Sequence, residues 1–328
     1  MKTNDPITNK ELPTELIDEV AAQCNTPVSS ELDSFVAALI ERFSDSLDAV
    51  LLYGSCLHSN CSLEEGIVDL YVLVDDYRNA YPQQRLLALG NEWLPPNVFY
   101  IEVRHQEKTL RAKYAVISTV DFEYSAQFWF HSYIWARFAQ PSRLLFARDD
   151  RIRASIYHAI AHSIITFLKS GIAAIEAGVL SVEEIWTRCL MLTYASELRA
   201  EKETRARHLA QTNLIAFTRL TQAASPLLTT LIQQKEGAEE NLYQCLTTSV
   251  MQRHAQWRWR LRRWQGRILS LLRLGKAVFT FANGVEYAVW KIERHTGVRV
   301  EITPMLRRHP ILLGLVALRQ LLRRGVLR

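Results

Sequence analysis

Leu51 to Asp76 reads LLYGSCLHSNCSLEEGIVDLYVLVDD, and the fold is decided there. Val50–Tyr53 is a short apolar run that ends on Gly54, so it reads as a strand delivering a tight turn. Ile67–Val74 is a second strand. It is apolar almost throughout, which implies burial on both faces. Asp69 is its exception, placed near the head of the strand. A backbone can approach a phosphate closely at glycine, where no Cβ intervenes. The Ser55 hydroxyl can donate to a phosphate oxygen. A carboxylate such as Asp69 can bind Mg²⁺, which takes one or two carboxylates together with phosphate oxygens. The order of parts is that of a nucleotidyltransferase-type site.

Such a site commonly has a second acid two residues after the first, on the same strand face. Here that position is Tyr71. The second carboxylate would then come from Glu65 in the loop, Asp75 at the far end of the strand, or Glu102 on the next strand. Glu102 ranks first, because it stands where a further acid commonly lies. The competing reading is that Asp69 only caps a strand.

The flanking sequence supplies the rest of a small domain. Residues 1 to about 30 read as a loose lead-in. Glu31–Phe43 reads as an amphipathic helix with Ser30 as its cap. Tyr77–Trp93 has helical spacing and stops before Pro95-Pro96. Val98–Val103 is a third strand, and Lys113–Thr119 is a further strand or a turn. The aromatic-rich stretch Phe122–Phe138 reads as core at helical spacing. Ala154–Lys169, Ser181–Thr204 and Leu209–Gln233 read as helices, with Ser181 and Glu184 forming a capping box. The expected class is α+β: a small mixed sheet with helices, then a mainly helical domain and a basic C-terminal amphipathic helix. The expected units are 1–30 (lead-in), 31–150 (nucleotidyltransferase), 151–250 (helical) and 251–328 (basic).

The segments YGSCLHSN and GIVDLYVLVDD together resemble the mitochondrial-type phosphatidate cytidylyltransferases, also described as translocator assembly and maintenance proteins. That family, within the nucleotidyltransferase superfamily, has a YGSG-like turn and then an Asp-led strand that also lacks the second acid. The resemblance, to a bacterial member, continues in VFYIEV, in KYAVIST (Lys113–Thr119) and in WARFAQPSRLL from Trp135. It covers roughly Ser30 to Leu145 and thins beyond. Cys56 departs from it, standing where the family has a small glycine. The resemblance implies that CTP and phosphatidic acid, with Mg²⁺, give CDP-diacylglycerol and pyrophosphate. It implies that Gly54 and Ser55 hold the triphosphate, Asp69 the metal, and Lys113 a phosphate. Arg137 is a further phosphate-binding candidate, since an arginine in an aromatic helix needs an anionic partner or a path to water. His131 reads as a satisfied histidine.

The net charge of +5 conceals an asymmetry: Arg253–Arg328 carries 17 Lys/Arg against three acids. A basic end on an acidic body calls for an anionic partner. Leu315, Leu318 and Leu322 form one apolar face near the C-terminus, with Arg319, Arg323 and Arg324 beside it. That pattern suits a helix lying on an anionic membrane surface, or one docked on the protein itself. The run QWRWRLRRW (Gln256–Trp264) fits a membrane-facing helix, an RNA-stacking strip, or a partly buried helix whose arginines only face water. The first and third are preferred, and nucleic acid is not expected as a partner.

The five cysteines are odd in number and include no CxxC pair, which argues against a disulfide framework or a zinc site. No apolar run is long enough to span a membrane, and the N-terminus lacks a signal pattern. The expectation is therefore a cytoplasmic protein bound peripherally to the inner face of the cell membrane. Two other function classes remain open: a nucleotidyltransferase acting on RNA or a small soluble acceptor, and an inactive membrane-binding module. Nothing in the sequence sets an oligomeric state.

Overall fold

The computed structural model describes residues 11–57, 66–197, 203–235 and 242–280. In chain order the first part holds α1 (Thr14–Cys24), α2 (Asp33–Phe43), β1 (Leu47–Tyr53), β2 (Val68–Val74), α3 (Tyr77–Ala80) and α4 (Arg85–Trp93). It continues with β3 (Asn97–His105), β4 (Lys108–Ser118), α5 (Thr119–Phe128), α6 (Trp135–Phe138) and β5 (Ser142–Ala147). The second part holds α7 (Asp150–Ile172), β6 (Gly178–Ser181), α8 (Val182–Tyr194), α9 (Glu203–Thr212) and α10 (Leu214–Ala224). It ends with β7 (Ile232–Gln234), β8 (Leu242–Cys245) and α11 (Ser249–Thr280).

The class is α+β. The main sheet has the order β3-β4-β2-β1-β5. Only β2 and β4 run parallel; the other neighbours are antiparallel. The parallel pair needs a crossover, and α3, α4 and β3 supply it. Both sheet faces are buried, as the apolar strands require. Ala49, Leu51, Tyr71, Leu73 and Ile117 join a core shared with α1, α7, α8 and α10. Val50, Leu52, Leu70, Val72 and Val116 pack under Phe35, Leu39 and Phe43 of α2. The capping box at Ser181 and Glu184 is formed.

Several expectations are corrected. Residues 14–24 are no lead-in: Leu16, Val20 and Cys24 recur every four residues and are buried in the core. The acids Glu15, Asp18 and Glu19 dominate the composition there and conceal the stripe. The cap before α2 is Ser29, which accepts from the Glu31 amide and starts a single 3-10 turn. The helix expected over Tyr77–Trp93 is two, α3 and α4, with Pro82 in the break. β5 (Ser142–Ala147), directly after Pro141, adds an edge strand beside β1 that was not expected. The small sheet β6-β8-β7 escaped because strands of three or four residues are too short to show a period.

Helix α11 is docked on the body rather than solvent-facing all round. Trp259 is buried, and its indole N–H donates to the Ser170 carbonyl at 2.9 Å. Arg262 is 4% exposed, so the reading in which the arginines of this run only face water fails for it. Its guanidinium donates to the Phe130 carbonyl at 2.7 Å and lies 4.8, 5.4 and 4.7 Å from the rings of Phe130, Trp135 and Trp259. Burial, then Arg258, pushes its pKa down to about 10. The other side of α11 exposes Trp257, Leu261, Trp264, Ile268 and Leu272. Among the described residues no helix is long and apolar enough to cross a membrane. Leu315, Leu318, Leu322, Arg319, Arg323 and Arg324 lie outside the described residues.

Candidate functional site

Three strands bring Tyr53, Asp69 and Lys113 into one row. Tyr53 faces Asp69 across the β1–β2 ladder, and Asp69 faces Lys113 across β2–β4. The Lys113 ammonium is 3.2 Å from a carboxylate oxygen of Asp69, with both side chains half-buried. Gly54 follows β1 directly, with φ of +84°. A Cβ built on it would stand 3.0 Å from the other Asp69 oxygen. The turn is therefore pressed against the carboxylate, and only glycine fits both its backbone and its neighbour. Ser55 opens a single 3-10 turn, Ser55–Leu57, and its hydroxyl lies outside the described atoms. Gly54→Ala is expected to lower stability by about 1 kcal/mol through the left-handed backbone alone. It should also push the Asp69 carboxylate aside, so calorimetry and activity are predicted to fall together.

Tyr71 fills the position of the missing second acid and is fully buried. Burial raises its phenol pKa, so it stays neutral. Its hydroxyl accepts from Arg137 at 3.1 Å. The Arg137 guanidinium lies 5.2 Å from the Tyr53 ring and 4.6 Å from the Tyr133 ring. Arg273 of α11 approaches the same Tyr133 ring to 4.1 Å. Aromatic rings and guanidiniums thus alternate outward from the Asp69 row. Burial pushes the Tyr133 phenol up, but Arg137 and Arg273 outweigh it and the net direction is down. Burial works against the charge on Arg137, and the neighbouring phenols outweigh it, so the guanidinium stays charged.

Glu102 is not beside Asp69, which corrects the expected metal pair. It sits on β3 opposite Arg111, whose Nε is 3.3 Å away, and accepts from Tyr100 at 2.6 Å. β4 lies between, so two strand spacings, about 10 Å, separate β3 from β2. Asp75 is at the other end of β2, accepting from the Asp76 amide and the Asn79 side chain. Six residues of strand, roughly 20 Å, part it from Asp69. Glu65 lies outside the described residues. Among the described residues, no three His, Cys, Asp or Glu side chains gather as a metal site. One carboxylate does not make a resident cage. It does fit Mg²⁺ held mainly by substrate phosphates, which needs only one or two protein carboxylates.

His131 is half-buried, its ring 4.5 Å from that of Trp129. Burial, then Arg273, pushes its pKa down to about 3, so it is neutral. Sequence reasoning missed Tyr53, Tyr133 and Arg273. The sole signal for Arg273 was its place in a basic helix, which says nothing of a ring 140 positions earlier in numbering.

No protein-family model and no curated protein matches this chain. Among solved structures, a nucleotidyltransferase-like protein from Exiguobacterium sibiricum is similar over 92% of this chain and 93% of its own, with 12% identity and a TM-score of 0.25.

Proposed function

We propose that the chain is a nucleotidyltransferase whose centre is Asp69. The observation that carries this is the contact of the Gly54 turn with the Asp69 carboxylate, with Lys113 on the adjoining strand. The Gly54 turn offers open backbone to a triphosphate. Lys113, a compact ammonium, turns from Asp69 toward phosphate oxygens when a nucleotide arrives. Asp69 would hold a Mg²⁺ ion arriving with the nucleotide, and that ion would supply neutralisation of the leaving pyrophosphate. The acceptor oxygen forms a bond to the α-phosphorus as the bond to the bridging β-oxygen breaks, and pyrophosphate leaves with the electron pair. A phosphate monoester acceptor is largely dianionic near neutral pH, so its attacking oxygen requires no general base.

The specific pair proposed is CTP and phosphatidic acid, giving CDP-diacylglycerol. The sequence resemblance supports it through YGSC, KYAVIST and WARFAQPSRLL. The deciding measurement is pyrophosphate release with CTP, Mg²⁺ and phosphatidic acid micelles. ATP and GTP are run beside CTP, and a soluble alcohol beside the lipid. Activity with ATP but not CTP overturns the cytidylyl assignment. A second reading is favoured by one observation: Tyr71 replaces the second acid while Lys113 engages the remaining one. On that reading the module is inactive, and no nucleotide releases pyrophosphate.

A lipid acceptor places the protein peripherally on an anionic membrane, at the inner face in a cell. The exposed side of α11 supports this. It carries Trp257 and Trp264 among Arg260, Arg263 and Arg267, and the helix Ser249–Thr280 contains no acid. Tryptophan favours the headgroup level, and each basic residue near an anionic surface adds about 1 kcal/mol. The double variant Trp257→Ala/Trp264→Ala is expected to sediment about tenfold less with anionic vesicles. Unchanged sedimentation would remove α11 from the membrane contact.

A further inference from the structure

The column of rings and guanidiniums ends at an open pocket of about 200 Å³ between the segment before α6 and the middle of α11. His131, Tyr133, Arg137, Glu197, Ser270 and Arg273 are among its lining residues. Two features set its chemistry. First, Arg137 and Arg273 crowd the same Tyr133 ring, at 4.6 and 4.1 Å. Two like charges so close repel, and burying either is unfavourable without an anion. Lys113, Arg111 and Arg148 each meet a carboxylate within ion-pair distance, whereas no carboxylate among the described residues pairs with Arg137 or Arg273. Glu197, exposed on the lining, acts electrostatically on Arg137. Second, the pocket wall holds a half-buried neutral imidazole, His131, whose Nδ1 is buried and has no hydrogen-bond partner. The volume lies below the ~300–1,000 Å³ of sites that enclose whole small molecules. It suits a single charged headgroup.

We propose that this pocket is a phosphate site, with Arg137 and Arg273 as its cations, and that it receives the phosphate of the acceptor. The phosphate would add an oxyanion to two guanidiniums whose neighbours in the fold are a phenol oxygen, aromatic rings and a backbone carbonyl. Guanidiniums bind phosphate with charge-assisted hydrogen bonds, and Arg273 donates through Nε to the Pro95 carbonyl at 3.1 Å. Arg137 links the two places, since it also touches Tyr53, the ladder partner of Asp69. An acceptor phosphate held here is one side chain removed from the centre at which the nucleotide would be cleaved. The acceptor assignment rests on the proposed transfer reaction; the phosphate site does not.

The test is phosphate binding to the full chain, read by calorimetry and by thermal shift, with chloride at equal ionic strength as control. Wild type is expected to bind inorganic phosphate and to unfold at higher temperature with it. Arg273→Gln is expected to bind about tenfold more weakly. Ser270→Glu places a carboxylate among the guanidiniums: it is expected to raise the unfolding temperature without phosphate and to abolish the response to it. Asp69→Asn should keep the phosphate response. No response in wild type, an unchanged response in both pocket variants, or its loss in Asp69→Asn would overturn the site. In turnover assays, inorganic phosphate should compete with phosphatidic acid and not with CTP. Competition with CTP alone would overturn the acceptor assignment. Failure of turnover with every nucleotide would sink the transfer reaction while leaving the binding result to stand.

Discussion

Asp69→Asn is expected to lower pyrophosphate release about 10³-fold and to leave the fold intact. The two halves follow from different magnitudes. A carboxylate that positions a metal on a transferring phosphate stabilises the transition state by several kcal/mol, and about 4 kcal/mol corresponds to 10³ in rate. Asparagine has the same shape but no charge. The ion pair that is lost, Lys113 with Asp69, is about a third exposed on the lysine side. Such pairs are worth under about 1 kcal/mol, so the unfolding midpoint should move by no more than about 3 °C. A large fall in both activity and midpoint would instead mean that Asp69 is structural. Lys113→Met separates the remaining roles. If Lys113 serves the triphosphate, KM for the nucleotide rises. If it only restrains Asp69, KM stays and the metal requirement shifts.

The physical reason for what the sequence disclosed lies in period and burial. The runs Val50–Tyr53 and Ile67–Val74 are apolar at both parities, so their burial was legible, and Asp69 was conspicuous as the one acid inside them. Gly54 was legible because a glycine at the end of a strand has few purposes. Its contact with Asp69 was not, since it depends on the antiparallel register that sets Tyr53 opposite Asp69. Glu102 failed for the same kind of reason. Chain order suggests that β3 is the next neighbour of β2, but the hairpin places β4 between them. The position next to Asp69 therefore belongs to Lys113, and Glu102 turns to Arg111. Tyr71 read as a defect in the metal site. In the fold it is the hydroxyl that holds Arg137. α11 was legible as a basic amphipathic helix but not as a wall. Its inward residues, Trp259 and Arg262, differ from its outward ones only in phase.

Gly266→Ala is expected to destabilise the protein by about 2 kcal/mol, against the rule for helices. In an exposed helix this change stabilises by about 0.5–1 kcal/mol, because alanine loses less backbone freedom on folding. Gly266 lies within α11, yet a Cβ there would stand 2.2 Å from the Ser196 carbonyl oxygen. The obstacle is backbone, so no side chain can swing away. The two segments must part by roughly 1 Å in a close-packed region, and overpacking of that kind costs about 1–3 kcal/mol or more. Gly90 in α4 gives the contrast. Its Cβ would meet only the flexible Cδ of Lys276 at 3.6 Å, an ordinary contact. Gly90→Ala should therefore stabilise by the usual helical increment. The midpoints of the two variants, measured by thermal unfolding, should move in opposite directions, with Gly266→Ala falling by about 3 °C. Because Gly266 and Ser196 both line the phosphate pocket, Gly266→Ala should also weaken phosphate binding while Gly90→Ala leaves it unchanged. If both variants were stabilised, α11 would not rest on Ser196, and Arg273 would lose the support that holds it against Tyr133.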